Sequence, residues 1–203
     1  MIFVATEKGK QIMINNVKIY GLEESIKASK YPMSVDISKL NGDLTKTAVS
    51  LAQSKAGEGH DNWLLGVVVQ FDLTCSVKMW TEAQRYHFLD FVSSQSTMHR
   101  IAKFYLDESY HECTDKRIIE IMKELVEEYN NNPTPENYLK ILYSNPCGMK
   151  LTARMTTNYR QLKTIYTQRR THRLPEWRDF CAWIETLPHA ELIVGERKEN
   201  EDN

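Results

Sequence analysis

The chain has 203 residues, with 41% hydrophobic residues, 26% charged residues and a formal net charge of −1 at pH 7. This balance is typical of a globular protein, and a chain of this length buries a core without disulfide or metal support. The near-zero net charge excludes a global attraction to nucleic acids or membranes, so any anion binding must come from local clusters. We expect one folded domain over residues 1–195 and a charged, disordered tail over residues 196–203.

No apolar run reaches the length of a membrane span, and the N-terminus lacks a signal-peptide pattern. Both features favour a soluble, cytoplasmic protein. The four cysteines are widely spaced and form no CxxC pair, which argues against a zinc site. We therefore expect reduced and mostly buried thiols at Cys75, Cys113, Cys147 and Cys181.

Hydrophobic periodicity predicts the secondary structure in chain order. Strands are expected at residues 1–5, 11–20, 64–73 and 149–157, with a turn at 7–10 between the first two. Helices are expected at residues 22–29, 43–55, 78–91, 115–129, 136–143, 158–171 and 175–187. This order of elements predicts an α+β fold with helices grouped around a sheet.

Three segments are candidates for chemistry. The first is the polar turn GHDN at residues 59–62, just before the strand expected at Leu64. Turns at the edge of a sheet often present ligand-binding groups. The alternative interpretation is an ordinary turn with a capping aspartate at Asp61.

The second segment runs from QRYH at residues 84–87 into the hydroxyl-rich stretch SSQS at residues 93–96. Neutral hydroxyls and loop amides suit the phosphate or carbonyl oxygens of a nucleotide. A lone histidine on an apolar helix face is more often a core residue, so the sequence leaves both interpretations of His87 open.

The third segment follows Asn158 and contains six basic residues and no acidic residue between positions 160 and 173. Without acidic partners nearby in the sequence, such a cluster is a plausible anion site. The alternatives are a solvated basic face and a nucleic-acid-binding helix. The six residues are Arg160, Lys163, Arg169, Arg170, His172 and Arg173.

The order and spacing of these segments resemble the flavin-dependent thymidylate synthases, a family with an RHR-x7-S signature. Here YHF at residues 86–88 is followed after seven residues by Ser96, so the histidine and serine match and aromatic residues replace both arginines. The GHDN turn is similar to the family's turn before a central strand. Asn158-x-Arg160-x-Leu162, with Arg169 eleven residues after Asn158, is similar to its N-x-R-x-L…R helix. The resemblance covers residues 22–187.

The resemblance implies a central, mostly antiparallel sheet with flanking helices. It also implies reductive methylation, or a related C5 modification, of a pyrimidine deoxynucleotide such as dUMP. The cofactor would be FAD, with NADPH and methylenetetrahydrofolate as cosubstrates, in a homotetramer with shared active sites. The residues implied near the flavin are His60, Asn62, His87, Asn158 and Arg160. Ser96 and Arg169 are implied as the catalytic residues, and Ser94, Ser96, Arg169 and Arg85 as the nucleotide-binding residues.

Several positions depart from the family pattern. Besides Tyr86 and Phe88, the sequence has Met98 and Leu142 where the family has arginines. Each lost arginine–phosphate hydrogen bond removes about 1.5–3 kcal/mol of binding free energy. This loss motivates an alternative function, a catalytically degenerate nucleotide- or flavin-binding protein on the same fold. A register shifted by one residue aligns Arg85 with the first signature arginine but loses the matches at positions 87 and 96.

Overall fold

The computed structural model describes residues 11–55 and 57–195. The expected strand at residues 1–5, the turn at 7–10 and the tail at 196–203 lie outside the described residues. Within the described part, four strands form one sheet: β1 (Met13–Tyr20), β2 (Val68–Ser76), β3 (Asp90–Ser94) and β4 (Lys150–Asn158). The strand order is β1-β2-β4-β3, and every neighbouring pair is antiparallel. The predicted antiparallel sheet of an α+β fold is therefore confirmed.

Helices flank this sheet along the described chain. Those before β4 are α1 (Leu22–Ala28), α2 (Lys46–Ala52), α3 (Val77–Ala83), α4 (Thr97–Arg100), α5 (Leu106–Ser109), α6 (Lys116–Asn131) and α7 (Pro135–Ser144). Those after β4 are α8 (Tyr159–Arg169), α9 (Pro175–Ile184) and α10 (Glu191–Val194). Short 3-10 turns lie at Tyr31–Met33, Ile37–Lys39, Asn62–Gly66 and Ile101–Lys103.

The two central strands, β2 and β4, pack against the helices through one face only. In β2, Val69, Phe71, Leu73 and Cys75 are buried, whereas the residues between them are partly exposed. The buried positions of β4 alternate in the same way. Strands with this period of two have one face on the core and the other toward solvent.

The prediction of a buried strand at residues 64–73 is wrong in two respects: the residue at which the strand begins and the extent to which it is buried. Leu64 belongs to the 3-10 turn, in which the amide of Val67 donates to the carbonyl of Leu64 over 3.3 Å. The strand begins at Val68, and only alternate residues of it are buried. The continuous apolar run arises because a turn that buries Leu64 and a half-buried strand follow each other directly.

The helix expected over residues 78–91 is also wrong. Helix α3 ends at Ala83, and residues 90–94 form the edge strand β3. Phe88 has a φ of +64°, which no α-helix accommodates. Phe91 packs on Trp80 with ring centroids 5.0 Å apart, so a strand residue and a helix residue share one apolar site. That shared burial produced the helical spacing in the sequence.

Only two of the four cysteines are buried, whereas the sequence predicts that most of them are. Cys75 and Cys181 are buried, whereas Cys113 and Cys147 are exposed, and all four are free thiols. Burial raises the pKa of Cys75 well above its usual value, and the charge of Glu176 raises it further. Burial also raises the pKa of Cys181 to about 12. Both buried thiols therefore stay protonated and inert at neutral pH.

Candidate functional site

A cleft of about 450 Å³ opens where β4 ends and α8 begins. Its volume is in the range of small-molecule binding sites, about 300–1,000 Å³. Its walls come from helix α8 with its N-cap, from Phe88, and from four residues before β2, namely Ser54, Lys55, Asp61 and Leu65. The lining residues are Ser54, Lys55, Asp61, Leu65, Phe88, Asn158, Arg160, Gln161, Lys163, Thr164, Thr167 and Gln168.

Asp61 lines this cleft and is only 3% exposed. It accepts a hydrogen bond from Arg160 Nε over 3.0 Å and another from Lys163 Nζ over 2.8 Å. Lys163 also donates to the carbonyls of Ala52 and Ser54, each over 2.7 Å. The three Nζ hydrogen bonds use the full donor capacity of Lys163. Lys163 is thus a structural cation that joins α8 to the segment after α2.

Arg160, in contrast, keeps donors available for a ligand. Asp61 engages its Nε, and no described residue accepts a hydrogen bond from either of its Nη atoms. The side chain is 34% exposed and lines the cleft. It lies in the first turn of α8, where the helix dipole adds partial positive charge. This end of the cleft therefore suits an anion.

Asn158 is the N-cap of α8 and is 8% exposed. Its Oδ1 accepts a hydrogen bond from the amide of Gln161 over 2.9 Å, which begins the helix. The predicted flavin-contacting residues Asn158 and Arg160 consequently lie in the same cleft. The predicted flavin-contacting residues of the 59–62 turn, His60 and Asn62, flank Asp61 in the sequence and are exposed, but neither lines the cleft.

The segment 86–88 lies beside the far end of α8, and its three side chains differ in environment. The hydroxyl of Tyr86 donates to Gln168 Oε1 over 2.8 Å. His87 is exposed, and Phe88 lines the cleft. The aromatic residues that replace the signature arginines therefore contact the end of α8 and the cleft.

Arg169 belongs to a second polar cluster, which we call the Arg169 latch: Glu82, Tyr86, Arg169, His172 and Trp177. Arg169 donates to Tyr86 OH over 2.7 Å and to Glu82 Oε2 over 3.0 Å. Its guanidinium lies 4.8 Å from the ring centroid of Trp177 and 5.4 Å from that of Tyr86. With a side chain only 14% exposed, Arg169 ties α8 to α3 and α9 in this conformation.

The basic segment at residues 160–173 has acidic partners after all, and they come from distant parts of the chain. Asp61 pairs with Arg160 and Lys163, and Glu82 pairs with Arg169. The lack of acidic residues within the segment therefore does not leave Arg160, Lys163 and Arg169 unpaired. Because these three cations pair with carboxylates, the interpretation as a nucleic-acid-binding helix loses part of its support, whereas Arg170 and Arg173 are exposed.

Ser94 and Ser96 lie at the opposite end of the sheet from the cleft. The amide of Gln95 donates to the carbonyl of Thr152 over 2.9 Å, and Ser96 follows directly. Thr152 and Asn158 are at opposite ends of β4, about 20 Å apart along an antiparallel strand. Within one chain the structure does not bring Ser96 to the cleft. Arg85 is exposed just after α3.

The sequence analysis missed three residues of these clusters in their observed roles. Asp61 was considered only as a capping residue, but its carboxylate makes no cap and instead binds two cations. Lys163 was counted as a free cation, and Glu82 was not considered. These contacts join positions about 100 residues apart in the chain, and a local sequence motif does not reveal such pairs.

In the described residues, no group of three or more histidine, cysteine, aspartate or glutamate side chains is placed to hold a metal ion. Over the same residues, none of the helices has the length and apolar character needed to cross a bilayer.

No protein-family model and no curated protein sequence matches the chain. Among solved structures, similar folds include two of the flavin-dependent thymidylate synthase ThyX from Helicobacter pylori with FAD and dUMP. One aligns with a TM-score of 0.67 and 14% identity over 92% of this chain and 98% of that chain. The other, at 2.31 Å resolution, aligns with a TM-score of 0.63 and 14% identity over 92% of this chain and 97% of that chain. The chain therefore has the fold of these synthases.

The first prediction concerns Asp61. Replacing it by alanine leaves Arg160 and Lys163 without their shared counter-charge, so Asp61→Ala is expected to lower the free energy of unfolding by about 3 kcal/mol or more. The measurement is urea denaturation followed by circular dichroism. Asp107→Ala is the control, because Asp107 also pairs with a lysine but its side chain is 75% exposed. The control is expected to lose less than about 1 kcal/mol, and equal losses in both variants would contradict the assignment.

The second prediction uses the pH dependence of the Arg169 latch. Burial raises the pKa of Glu82, but hydrogen bonds from Lys78 and Trp177 and the charges of Lys78 and Arg169 outweigh it, so the pKa lies below its usual 4.5. A lowered carboxyl pKa stabilises the fold above 4.5, and this contribution disappears as the pH falls through the folded-state value.

The stability difference between wild type and Glu82→Gln is therefore expected to be largest at neutral pH and to shrink below pH 4.5. Urea denaturation across this range measures it, with the exposed residue variant Glu124→Gln as a control that stays near zero. A Glu82→Gln difference that is independent of pH would show that Glu82 makes no charge-dependent contribution.

Proposed function

We propose that the protein is a flavin-dependent, thymidylate-synthase-like enzyme that acts at C5 of a pyrimidine deoxynucleotide such as dUMP. In this proposal the cleft at the start of α8 holds FAD, and NADPH and methylenetetrahydrofolate are the reductant and the carbon donor. The main support is one observation: the 59–62 turn and the Asn158–Arg160 segment meet in a single cleft. The fold is also shared with structures that contain FAD and dUMP.

The groups in the cleft fit a dinucleotide cofactor. Arg160 offers the four N–H donors of its two Nη atoms, Lys55 adds a second exposed cation, and the N-terminus of α8 adds partial positive charge. The buried Oγ of Ser54, also in the lining, has no hydrogen-bond partner among the described residues. Cationic and hydroxyl donors of this kind bind phosphate and carbonyl oxygens.

A flavin, when bound, supplies hydride or methylene transfer, which amino-acid side chains do not provide. The residues of the chain bind the cofactor and the substrate and orient them. Because Asp61 fixes Arg160 Nε, the guanidinium presents its Nη edge to the cleft without losing further conformational freedom. Asn158 caps the start of α8, and the hydrogen bonds of Lys163 to Ala52, Ser54 and Asp61 keep these residues at a fixed separation from α8. In this proposal Ser96 and Arg169 contact the nucleotide.

The proposed site requires more than one copy of the chain. Ser94 and Ser96 lie about 17–20 Å from Asn158 along the sheet, too far for a mononucleotide such as dUMP to contact both ends within a subunit. We therefore propose a homotetramer in which the serine end of one copy completes the cleft of another. Arg85, His60, Asn62 and His87 are exposed and remain available to such a composite site.

A non-catalytic nucleotide- or flavin-binding protein is the second candidate function. Arg169, the proposed nucleotide-binding arginine, already makes hydrogen bonds to Tyr86 and Glu82. Contact with a nucleotide would require Arg169 to leave these partners. If it does not leave them, FAD binding persists and turnover is lost.

The third prediction tests FAD binding. Wild-type protein is expected to bind FAD and show flavin absorbance after gel filtration. Arg160→Ala removes a charge-assisted hydrogen bond worth about 1.5–3 kcal/mol, which weakens FAD affinity about 10- to 150-fold. Arg170→Ala is the matched control, since Arg170 is an exposed arginine at the end of the same helix. Wild-type protein that takes up no added FAD would refute the proposal.

Turnover separates the two candidate functions. Tritium release from 5-labelled dUMP, in the presence of FAD, NADPH and methylenetetrahydrofolate, is expected for the enzyme. Binding of FAD and dUMP without tritium release would instead support the non-catalytic protein.

The fourth prediction tests the composite site. Ser96→Ala and Arg160→Ala are each expected to reduce activity when FAD is limiting. If each site takes Arg160 from one copy and Ser96 from another, oligomers formed by co-expression contain some sites with both native residues. Their activity is then expected to exceed the average of the two variants. An activity equal to that average would place both residues in the same subunit's site.

A further inference from the structure

Phe88 has an unusual backbone conformation for its type. Its φ is +64°, in the left-handed region that disfavours bulky side chains. The ring is 59% exposed, so burial in the core does not compensate for this conformation. A strained residue that gains little from packing is often held in place for function.

Tyr86, two residues before Phe88, and Leu89, directly after it, are both held by the fold. The hydroxyl of Tyr86 is bound by Arg169 Nε over 2.7 Å and donates to Gln168 Oε1 over 2.8 Å. On the other side, Leu89 is only 2% exposed and belongs to the core. With Tyr86 and Leu89 anchored, the left-handed residue Phe88 has its ring exposed, where it lines the cleft.

The cleft combines apolar and cationic surfaces around Phe88. Leu65, which is 41% exposed, also lines it and adds a second apolar side chain. Arg160 and Lys55 supply the cationic groups. An exposed aromatic ring and free cationic donors that line the same cleft match a ligand that has a flat ring and a phosphate.

We propose that Phe88 is the stacking platform for a planar aromatic ring carried on a phosphate, with the Arg169 latch as its support. This inference rests on the proposed function, in which the ring is that of the flavin or of the pyrimidine nucleotide. In this inference Phe88 contributes to ligand binding by stacking, whereas an arginine at this position would contribute by contact with a phosphate. In the conformation of this structure, Arg169 positions Phe88 through Tyr86; contact of Arg169 with the nucleotide belongs to a second conformation, in which Arg169 has left Tyr86 and Glu82.

The experiment compares stability and binding in Phe88→Gly and Phe88→Trp. Glycine adopts a φ of +64° without strain, so the urea midpoint of Phe88→Gly is expected to rise. Its affinity for the ring-bearing ligand is expected to fall about 5- to 150-fold, the usual effect of removing one stacking ring. Phe88→Trp keeps a ring and is expected to retain binding. Tyr105→Gly is the control, because Tyr105 is 84% exposed with an ordinary φ of −77°.

FAD and dUMP are the two probes, titrated by flavin fluorescence and by calorimetry respectively. Weaker binding of FAD alone identifies a ring of the dinucleotide as the stacked group, and weaker binding of dUMP alone identifies the pyrimidine. If wild type binds FAD and Phe88→Gly binds both probes as tightly, the inference is overturned while the proposed function stands. A lowered urea midpoint for Phe88→Gly would likewise overturn it, since Phe88 would then be structural. Wild type that binds neither probe refutes the proposed function itself.

Discussion

The carboxylate of Asp61 holds together the segments that form the cleft. It is buried, and Arg160 and Lys163 on the first turns of α8 share its charge. Lys163 extends this connection to the carbonyls of Ala52 and Ser54 at the end of α2. A buried carboxylate is stable only with such partners, so the turn at residues 59–62 and the start of α8 are fixed relative to each other.

The two ends of α8 therefore have different tasks. Near its N-terminus, Lys163 uses all its donors in hydrogen bonds to the protein, whereas both Nη groups of Arg160 remain free to bind an anion. At its C-terminus Arg169 joins Glu82 and Tyr86 and thereby positions the segment that carries Phe88. Helix α8 connects the anion-binding end of the cleft to its aromatic wall. The fold positions these side chains, and the proposed chemistry depends on the ligand that they bind.

The α+β class and the long amphipathic helices followed from the sequence. Helix α6 begins after the expected cap at Asp115, because a helix that buries one stripe shows the 3.6-residue period directly. The strand β3 was not predictable, since Phe91 and Trp80 share one apolar site and so imitate helical spacing. The partners of the basic segment were not predictable either, because Asp61 lies 99 residues from Arg160 in the chain. Local patterns predict elements, whereas ion pairs between distant segments depend on the folded topology.

The decisive measurement is a crystal structure of the protein grown with FAD. We expect a phosphate of the dinucleotide within hydrogen-bond distance of the Nη atoms of Arg160 and a ring of the ligand stacked on Phe88. We also expect residues 94–96 of a neighbouring copy to approach the same ligand. FAD bound elsewhere on the molecule, with Arg160 and Phe88 facing solvent, would contradict the proposed site.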